Sequence, residues 1–77
     1  MFVSRWIELK DFDFWCGARA VADLVYEEEF EIIERYMDMI SDVWSETEIN
    51  DFFWFEDDTI ADLLGYDNYD AMWEARH

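Results

Sequence analysis

The stretch that decides the fold class runs from residue 26 to residue 42 and reads Tyr-Glu-Glu-Glu-Phe-Glu-Ile-Ile-Glu-Arg-Tyr-Met-Asp-Met-Ile-Ser-Asp. Five of its apolar residues fall at offsets of 0, 4, 7, 11 and 14, which is the spacing of one face of an α-helix. These residues are Tyr26, Phe30, Ile33, Met37 and Ile40. We therefore predict a helix from about Glu27 to Asp42, with this apolar face turned towards the core.

A second face of the same predicted helix is acidic. Its members, called the acidic row below, are Glu27, Glu31, Glu34 and Asp38. At a helical rise of about 1.5 Å per residue, the row places a carboxylate every ~5 Å, whereas the phosphates of one nucleic-acid strand recur every ~3.4 Å. A charge run is usually a solvated helix face, but this one also has the form of a sparse line of phosphates.

The sequence after this helix carries three further sets of helix signals. Residues 45–48, Ser-Glu-Thr-Glu, match a capping box and predict a helix start. One of the two aspartates at 57–58 would begin a short helix that ends at Gly65, and Asp or Asn at 67–68 would open a final helix. The first of these helices would turn Ile49, Phe52 and Phe53 inward, and the last would carry Tyr69, Met72 and Trp73 on one face.

The N-terminal third of the chain carries weaker signals. The segment from Phe14 or Gly17 to Val25 is rich in small apolar residues, and Asp13 before it is a residue type that caps helices. We predict a first helix there. The segment Met1–Leu9 has the β-branched and aromatic content of a short strand, although no hairpin turn follows it.

Together these patterns predict a mainly α protein, a compact bundle of about four to five short helices with one short N-terminal β-strand as an optional addition. The whole chain, residues 1–77, contains no proline and no linker-like stretch, so we predict a single acidic helical domain. Its apolar fraction of 53% and aromatic fraction of 21% supply the dense core that a small domain needs.

The charge is the outlying property of the composition. The 21 Asp and Glu residues against 5 Lys and Arg give a net charge of −16, whereas a magnitude of about 2 to 8 already keeps a small domain soluble. Residues 21–77 hold this whole excess, because 18 acids face only Arg35 and Arg76 there. Such a surface repels phosphates and anionic lipids, so we expect a positively charged partner, no direct nucleic acid and no membrane.

Residue types needed for catalysis and metal binding are scarce. Cys16 and His77 are each the single copy of their type, which excludes Cys/His nucleophile pairs and multi-ligand zinc sites. Gly17 and Gly65 are the only glycines, which excludes phosphate-binding loops. We therefore expect no enzyme activity, no metal and no cofactor. A single cysteine and the lack of a signal-peptide pattern indicate the cytoplasm.

The leading functional hypothesis is a non-enzymatic nucleic-acid mimic. Such a protein would bind the basic surface of a DNA- or RNA-binding protein and inhibit or modulate it. The acidic row would supply one part of the binding surface. A second cluster of carboxylates would supply the other, and consists of Asp51, Glu56, Asp57, Asp58 and Asp62.

An alternative hypothesis uses aromatic instead of acidic side chains. The 5 Trp, 4 Tyr and 7 Phe are many for so small a core, so we expect Trp54 and Trp73 to stay exposed as interface anchors. The protein would then be an adaptor module or a homodimer, with its acid serving solubility only. Adaptation to high salt is a further interpretation, with which Lys10 as the sole lysine agrees.

Two motifs carry a resemblance to a known group of proteins. They are Phe12-Asp13-Phe14-Trp15-Cys16-Gly17-Ala18 and residues 48–61, Glu-Ile-Asn-Asp-Phe-Phe-Trp-Phe-Glu-Asp-Asp-Thr-Ile-Ala, followed by Leu64-Gly65-Tyr66. Together they resemble small acidic, functionally uncharacterised proteins of phages and mobile elements of Firmicutes, in which a helix-capping serine stands where this chain has Cys16. The resemblance implies no mechanism, but it adds inhibition of a host defence, such as CRISPR or restriction, as an expectation.

Overall fold

Five α-helices and two 3-10 turns make up the computed structural model, which describes residues 6–77. In chain order they are a 3-10 turn Leu9–Asp11, α1 (Cys16–Ala22), a 3-10 turn Glu27–Glu29, α2 (Phe30–Ile40), α3 (Glu46–Phe55), α4 (Asp57–Leu63) and α5 (Tyr69–Arg76). The prediction of a mainly α bundle is confirmed. The optional strand over Met1–Leu9 lies largely outside the described residues, and no strand is present within residues 6–77.

Helix α2 is shorter than its sequence pattern predicts. The 3-10 turn Glu27–Glu29 precedes it, and the extended backbone of Ser41 (φ −159°, ψ 142°) ends it after Ile40. Ser41 can end a helix because its hydroxyl offers the backbone alternative hydrogen bonds, and here the hydroxyl donates to the Val43 carbonyl at 2.9 Å. Ile33 is fully buried, but Ile40, predicted as a core residue, is exposed because the chain turns away there.

Helix α3 begins at the predicted capping box. The Glu48 amide donates to Ser45 Oγ and the Ser45 amide donates to Glu48 Oε1, both at 3.0 Å. These two hydrogen bonds satisfy amide groups that a helix start leaves without partners, which is worth about 1 kcal/mol. Ile49 and Phe53 are fully buried and Phe52 is nearly so, as the sequence pattern predicts.

The start of helix α1 differs from the prediction. Trp15, not Asp13, occupies the cap position, and its side chain makes no capping hydrogen bond. The fully buried Asn50 of α3 accepts a hydrogen bond from the Trp15 amide at 3.0 Å instead. Cys16, the first helical residue, has a φ of +53°, a conformation that costs a residue with a side chain roughly 1 kcal/mol or more. A side chain of α3 therefore holds the backbone of the residue that precedes α1.

The turn between α4 and α5 forms as predicted, although the cap before α4 does not. Glu56 precedes α4 in place of an aspartate at 57–58. Gly65 has a φ of +93°, and its amide and that of Tyr66 donate to carbonyls of the last α4 turn at 3.0 and 2.9 Å. Asn68 Oδ1 then accepts from the Ala71 amide at 2.9 Å and opens α5.

The core combines buried residues of α1, α2, α3 and α4 with residues of the connecting segments, and most of them are not aromatic, but a group of phenylalanine rings packs within it. The Phe14 and Phe53 rings lie 4.3 Å apart between centroids, and Phe30 stacks on Phe53 at 6.2 Å. Gly17 of α1 allows a close approach to α3, because a Cβ added there would lie 2.6 Å from Nε1 of Trp54. The Cα radius of gyration, 11.6 Å, matches the ~11.5 Å expected for a compact chain of this length.

Arg76 ties α5 to the segment before α2 through an arrangement called the Arg76 clasp below. Its guanidinium pairs with both carboxylate oxygens of Glu29, donates to the Leu24 carbonyl at 3.1 Å and to the Tyr66 hydroxyl at 3.1 Å, and lies 4.2 Å from the Tyr26 ring centroid. The Arg76 and Glu29 side chains are only 7% and 17% exposed. One of the two cations of residues 21–77 is therefore used inside the fold.

Candidate functional site

The four residues of the acidic row line one open groove, called the acidic groove below. Its volume is about 650 Å³. The described residues that line it are Trp6, Glu8, Lys10, Glu27, Glu28, Phe30, Glu31, Glu34, Arg35 and Asp38. Six carboxylates against two cations give this lining a formal charge of −4. The structure thus brings the acidic row together with two further glutamates that the sequence analysis did not single out.

The two cations of the acidic groove pair weakly with its carboxylates. Lys10 Nζ lies 3.5 Å from carboxylate oxygens of both Glu8 and Glu27, and Arg35 donates to Glu31 at 2.8 Å. Glu8, and after it Glu27, raises the pKa of Lys10 above its ordinary value. All of these side chains are at least 40% exposed, and such surface pairs contribute about 0–1 kcal/mol. An incoming cationic group can replace them at little cost.

The four residues of the acidic row differ in how far they are exposed to solvent. Glu34 and Asp38 are half-buried, and Glu34 Oε1 accepts a hydrogen bond from the Leu9 amide at 2.6 Å. Burial raises the pKa of the Asp38 carboxyl, and the neighbouring Glu34 and Asp42 add to that rise. Glu27 and Glu31 are exposed and therefore present their charge most directly to solvent.

The second acidic cluster is held mostly by hydrogen bonds at helix starts. Glu56 accepts from the Thr59 hydroxyl at 3.2 Å, and Asp58 accepts from the Tyr69 amide at 2.8 Å. Asp57 accepts from the Asp58 amide, also at 2.8 Å, and burial raises its pKa above the ordinary value, with Asp58 and Asp70 contributing. Asp51 and Asp62 are exposed. Part of this cluster thus stabilises α4 and α5.

The acidic row and the second cluster do not line the same groove. Asp51 and Glu56 line a separate groove whose other wall includes Tyr36 and Ile40 of α2. Tyr36 and Ile40 each follow a member of the acidic row by two positions, which is about 200° around the helix. The groove that contains Asp51 and Glu56 therefore faces away from the acidic row.

That separate groove, called the apolar groove below, was missed by the sequence analysis. It has a volume of about 520 Å³. Its lining consists of Tyr36, Ile40, Trp44, Glu48, Asp51, Phe52, Phe55, Glu56 and Thr59. The signal that could have revealed it is the apolar pair Tyr36 and Ile40, which makes the stripe on α2 wider than its helical neighbours can cover.

The two tryptophans predicted to be exposed are 41% and 42% exposed, for Trp54 and Trp73 respectively. Trp54 stacks on Phe55 with a centroid distance of 5.4 Å, and Trp73 stacks on His77 at 3.9 Å. Phe55 itself is 69% exposed, a larger fraction than either predicted anchor. Its position at the last residue of α3 places it beyond the neighbouring helices, which the run of four aromatics at 52–55 did not reveal.

Within residues 6–77 there is no group of three or more His, Cys, Asp or Glu side chains arranged to hold a metal ion. No helix in the same range has the length and apolar character needed to cross a membrane. No protein family, curated protein or solved structure matches this chain.

Proposed function

We propose that this protein is a non-enzymatic, cytoplasmic binding protein that occupies the basic nucleic-acid-binding surface of another protein and so inhibits or modulates it. The observation that carries the proposal is the acidic groove, whose lining within residues 6–77 holds six carboxylates and two weakly paired cations. Its carboxylates take the place of phosphates in the partner's binding surface. The resemblance to proteins of phages and mobile elements favours a host-defence protein, such as a CRISPR or restriction component, as the target.

The electrostatics of the acidic groove support this role. Glu27 and Glu31 point their charges to solvent, and the Lys10 and Arg35 contacts are of the weak, exposed kind. A net charge of −16 also attracts a cationic protein over distance and speeds its association. Because exposed charges are screened over about 8–10 Å in physiological salt, the interaction should weaken steeply as salt is raised.

The experiment compares capture and competition by matched charge-reversal variants. The test variant, Glu27→Lys with Glu31→Lys, changes the acidic groove. The control, Asp23→Lys with Glu74→Lys, makes the same charge change at two exposed positions outside that groove. Each immobilised protein is exposed to bacterial lysate at low salt, captured proteins are identified, and each is then tested in a DNA- or RNA-binding assay.

The proposal expects the wild type and the control to capture a nucleic-acid-binding protein, to displace its nucleic acid, and to release it as salt rises. The groove variant should lose both effects while its circular dichroism spectrum and melting temperature stay close to those of the control. Equal loss in both variants would show that only diffuse charge matters, and equal activity in both would rule out the acidic groove as the binding surface.

The second candidate function is an adaptor or homodimer that uses exposed aromatic side chains. The exposure of Trp54, Trp73 and Phe55 favours it. A homodimer must bring together two copies that each carry −16, so its formation should strengthen as salt is raised. Sedimentation velocity at low and high salt separates the two functions. High salt should strengthen formation of the homodimer, whereas it should weaken binding of a nucleic-acid mimic to its basic partner.

A further inference from the structure

The apolar groove is an open groove with exposed apolar walls. Trp44 is fixed in it, because its indole nitrogen donates to the Ser41 carbonyl at 2.7 Å. Phe52 forms the nearly buried floor and meets the Tyr36 ring edge-on at 6.2 Å. Ile40, at 60% exposure, and Phe55 are the walls open to solvent. The cleft thus offers apolar surface that the protein's own helices leave uncovered.

The rim of the apolar groove carries only negative charge. Glu48, Asp51 and Glu56 contribute three carboxylates, and no Lys or Arg is among the described residues that line it. Two of the three are positioned by hydrogen bonds, since Glu48 accepts from the Ser45 amide and Glu56 from the Thr59 hydroxyl. A ligand that fills the cleft must therefore present apolar groups in the centre and positive groups at the edges.

We propose that the apolar groove binds a short amphipathic helix of a basic partner protein. The helix places apolar side chains spaced at i, i+3, i+4 and i+7 in the cleft, while its lysines or arginines pair with Glu48, Asp51 and Glu56. The groove volume of about 520 Å³ is within the ~300–1,000 Å³ range of ligand pockets in proteins. A second copy of this chain fits poorly, because it would bring −16 against the carboxylate rim.

This interaction is separate from the proposed mimicry of nucleic acid. The Tyr36 and Ile40 wall of the apolar groove lies on the face of α2 opposite the acidic row, so each surface can be changed without touching the other. The inference adds a peptide-binding site to the protein and does not require the acidic groove to bind anything.

The probe is a synthetic, fluorescently labelled 16-residue helical peptide with leucines at i, i+3, i+4 and i+7 and lysines at the flanking positions. A scrambled peptide of identical composition keeps the charge and removes the apolar face. Dissociation constants are measured by fluorescence anisotropy at physiological salt for the wild type and four variants. Two variants, Phe55→Ser and Asp51→Lys, change the groove, and two controls, Met39→Ser and Glu74→Lys, make the same kinds of change outside it.

The expected result is at least about tenfold weaker binding for each groove variant and for the scrambled peptide, and a change within about twofold for each control. Phe55, Asp51, Met39 and Glu74 are all exposed, so folding should be retained, and circular dichroism verifies it. If Phe55→Ser lowers helicity, Asp51→Lys still decides the outcome.

Equal affinity for the scrambled peptide, unchanged affinity in both groove variants, or no binding up to about 1 mM peptide would overturn the inference. The acidic-groove variant, Glu27→Lys with Glu31→Lys, should bind the peptide as well as its charge-matched control, Asp23→Lys with Glu74→Lys. Specific peptide binding by the wild type without capture of a nucleic-acid-binding protein would support this inference and overturn the proposed function. Capture of such a protein without specific peptide binding would support the proposed function and overturn this inference.

Discussion

Replacing Arg76 by alanine should destabilise the fold far more than replacing Arg19 or Arg35, whose side chains are exposed. The substitution takes away the guanidinium of the Arg76 clasp and leaves its partners in place. The Glu29 carboxylate, 17% exposed, then has no cation beside it, and the Leu24 carbonyl loses its hydrogen bond from α5. Tyr26 and Tyr66 lose the cation that lies against both rings, at 4.2 and 5.1 Å from their centroids.

The magnitude follows from the burial of the Arg76–Glu29 pair. Breaking a buried ion pair by removing one partner costs about 3–5 kcal/mol, because the other charge is left desolvated. The residual exposure of Glu29 lets water reach its carboxylate, so we place the loss at about 3 kcal/mol, the lower end of that range. For a domain of this size such a loss lowers the melting temperature by roughly 12–24 °C.

Arg35→Ala is the matched control. Arg35 also donates to a glutamate, Glu31, at 2.8 Å, but the two side chains are 76% and 72% exposed. Such an i,i+4 surface pair contributes about 0.3–0.5 kcal/mol. Both substitutions remove one arginine and one positive charge, so the change in net charge is the same and only the burial of the pair differs.

Urea denaturation followed by tryptophan fluorescence measures both free energies of unfolding under identical salt and pH. Arg76→Lys should fall between wild type and Arg76→Ala, because lysine keeps the charge but not the two-pronged contact with Glu29. Losses for Arg76→Ala and Arg35→Ala that agree within about 0.5 kcal/mol would refute the assignment of a stabilising role to the buried pair.

The remaining predictions concern close packing and acid stability. Gly17→Ala should destabilise the protein by about 1 kcal/mol despite alanine's higher helix propensity, since the new Cβ meets the Trp54 indole, and it should become stabilising in a Trp54→Ala background. Thermal unfolding of the two single variants and the double variant measures this coupling, and additive effects would contradict it. The hydrogen bond from Arg76 lowers the pKa of Glu29 below its ordinary value of 4.5. The resulting stability is complete above pH 4.5 and is lost as pH falls through the lowered folded-state pKa, so the stability difference between wild type and Glu29→Gln should be largest near neutral pH and shrink in acid. A difference that is constant or grows towards low pH would show that the pKa of Glu29 is not lowered by folding.

The sequence predicts those parts of the fold that depend on neighbours within one helical turn. The capping box at Ser45 and Glu48, the left-handed Gly65 and the cap at Asn68 all act over three or fewer residues, and all are found as predicted or within the predicted pair. The core positions of α3 also follow from periodicity, because Ile49 and Phe53 lie one helical turn apart and both are fully buried.

Contacts between distant residues escaped the sequence analysis. Arg76 and Glu29 are 47 positions apart, and the Trp15 amide meets Asn50 across 35 positions, so neither pair has a local pattern. The same holds for the candidate surfaces. The acidic row lines one groove because a single helix carries most of it. The apolar groove combines residues of α2, α3 and α4 with the chain between α2 and α3, and its exposed wall, Ile40, had been assigned to the core.

The backbone conformation of Gly65, in the turn between α4 and α5, sets the direction in which α5 runs. The eight residues of that helix span about 12 Å, so a change of about 10° in its direction would displace its far end by about 2 Å. That displacement exceeds the ~0.5 Å range of distances over which an N–H···O hydrogen bond stays strong. The alignment of a guanidinium eleven positions downstream is thereby governed by the backbone angle of a residue that has no side chain.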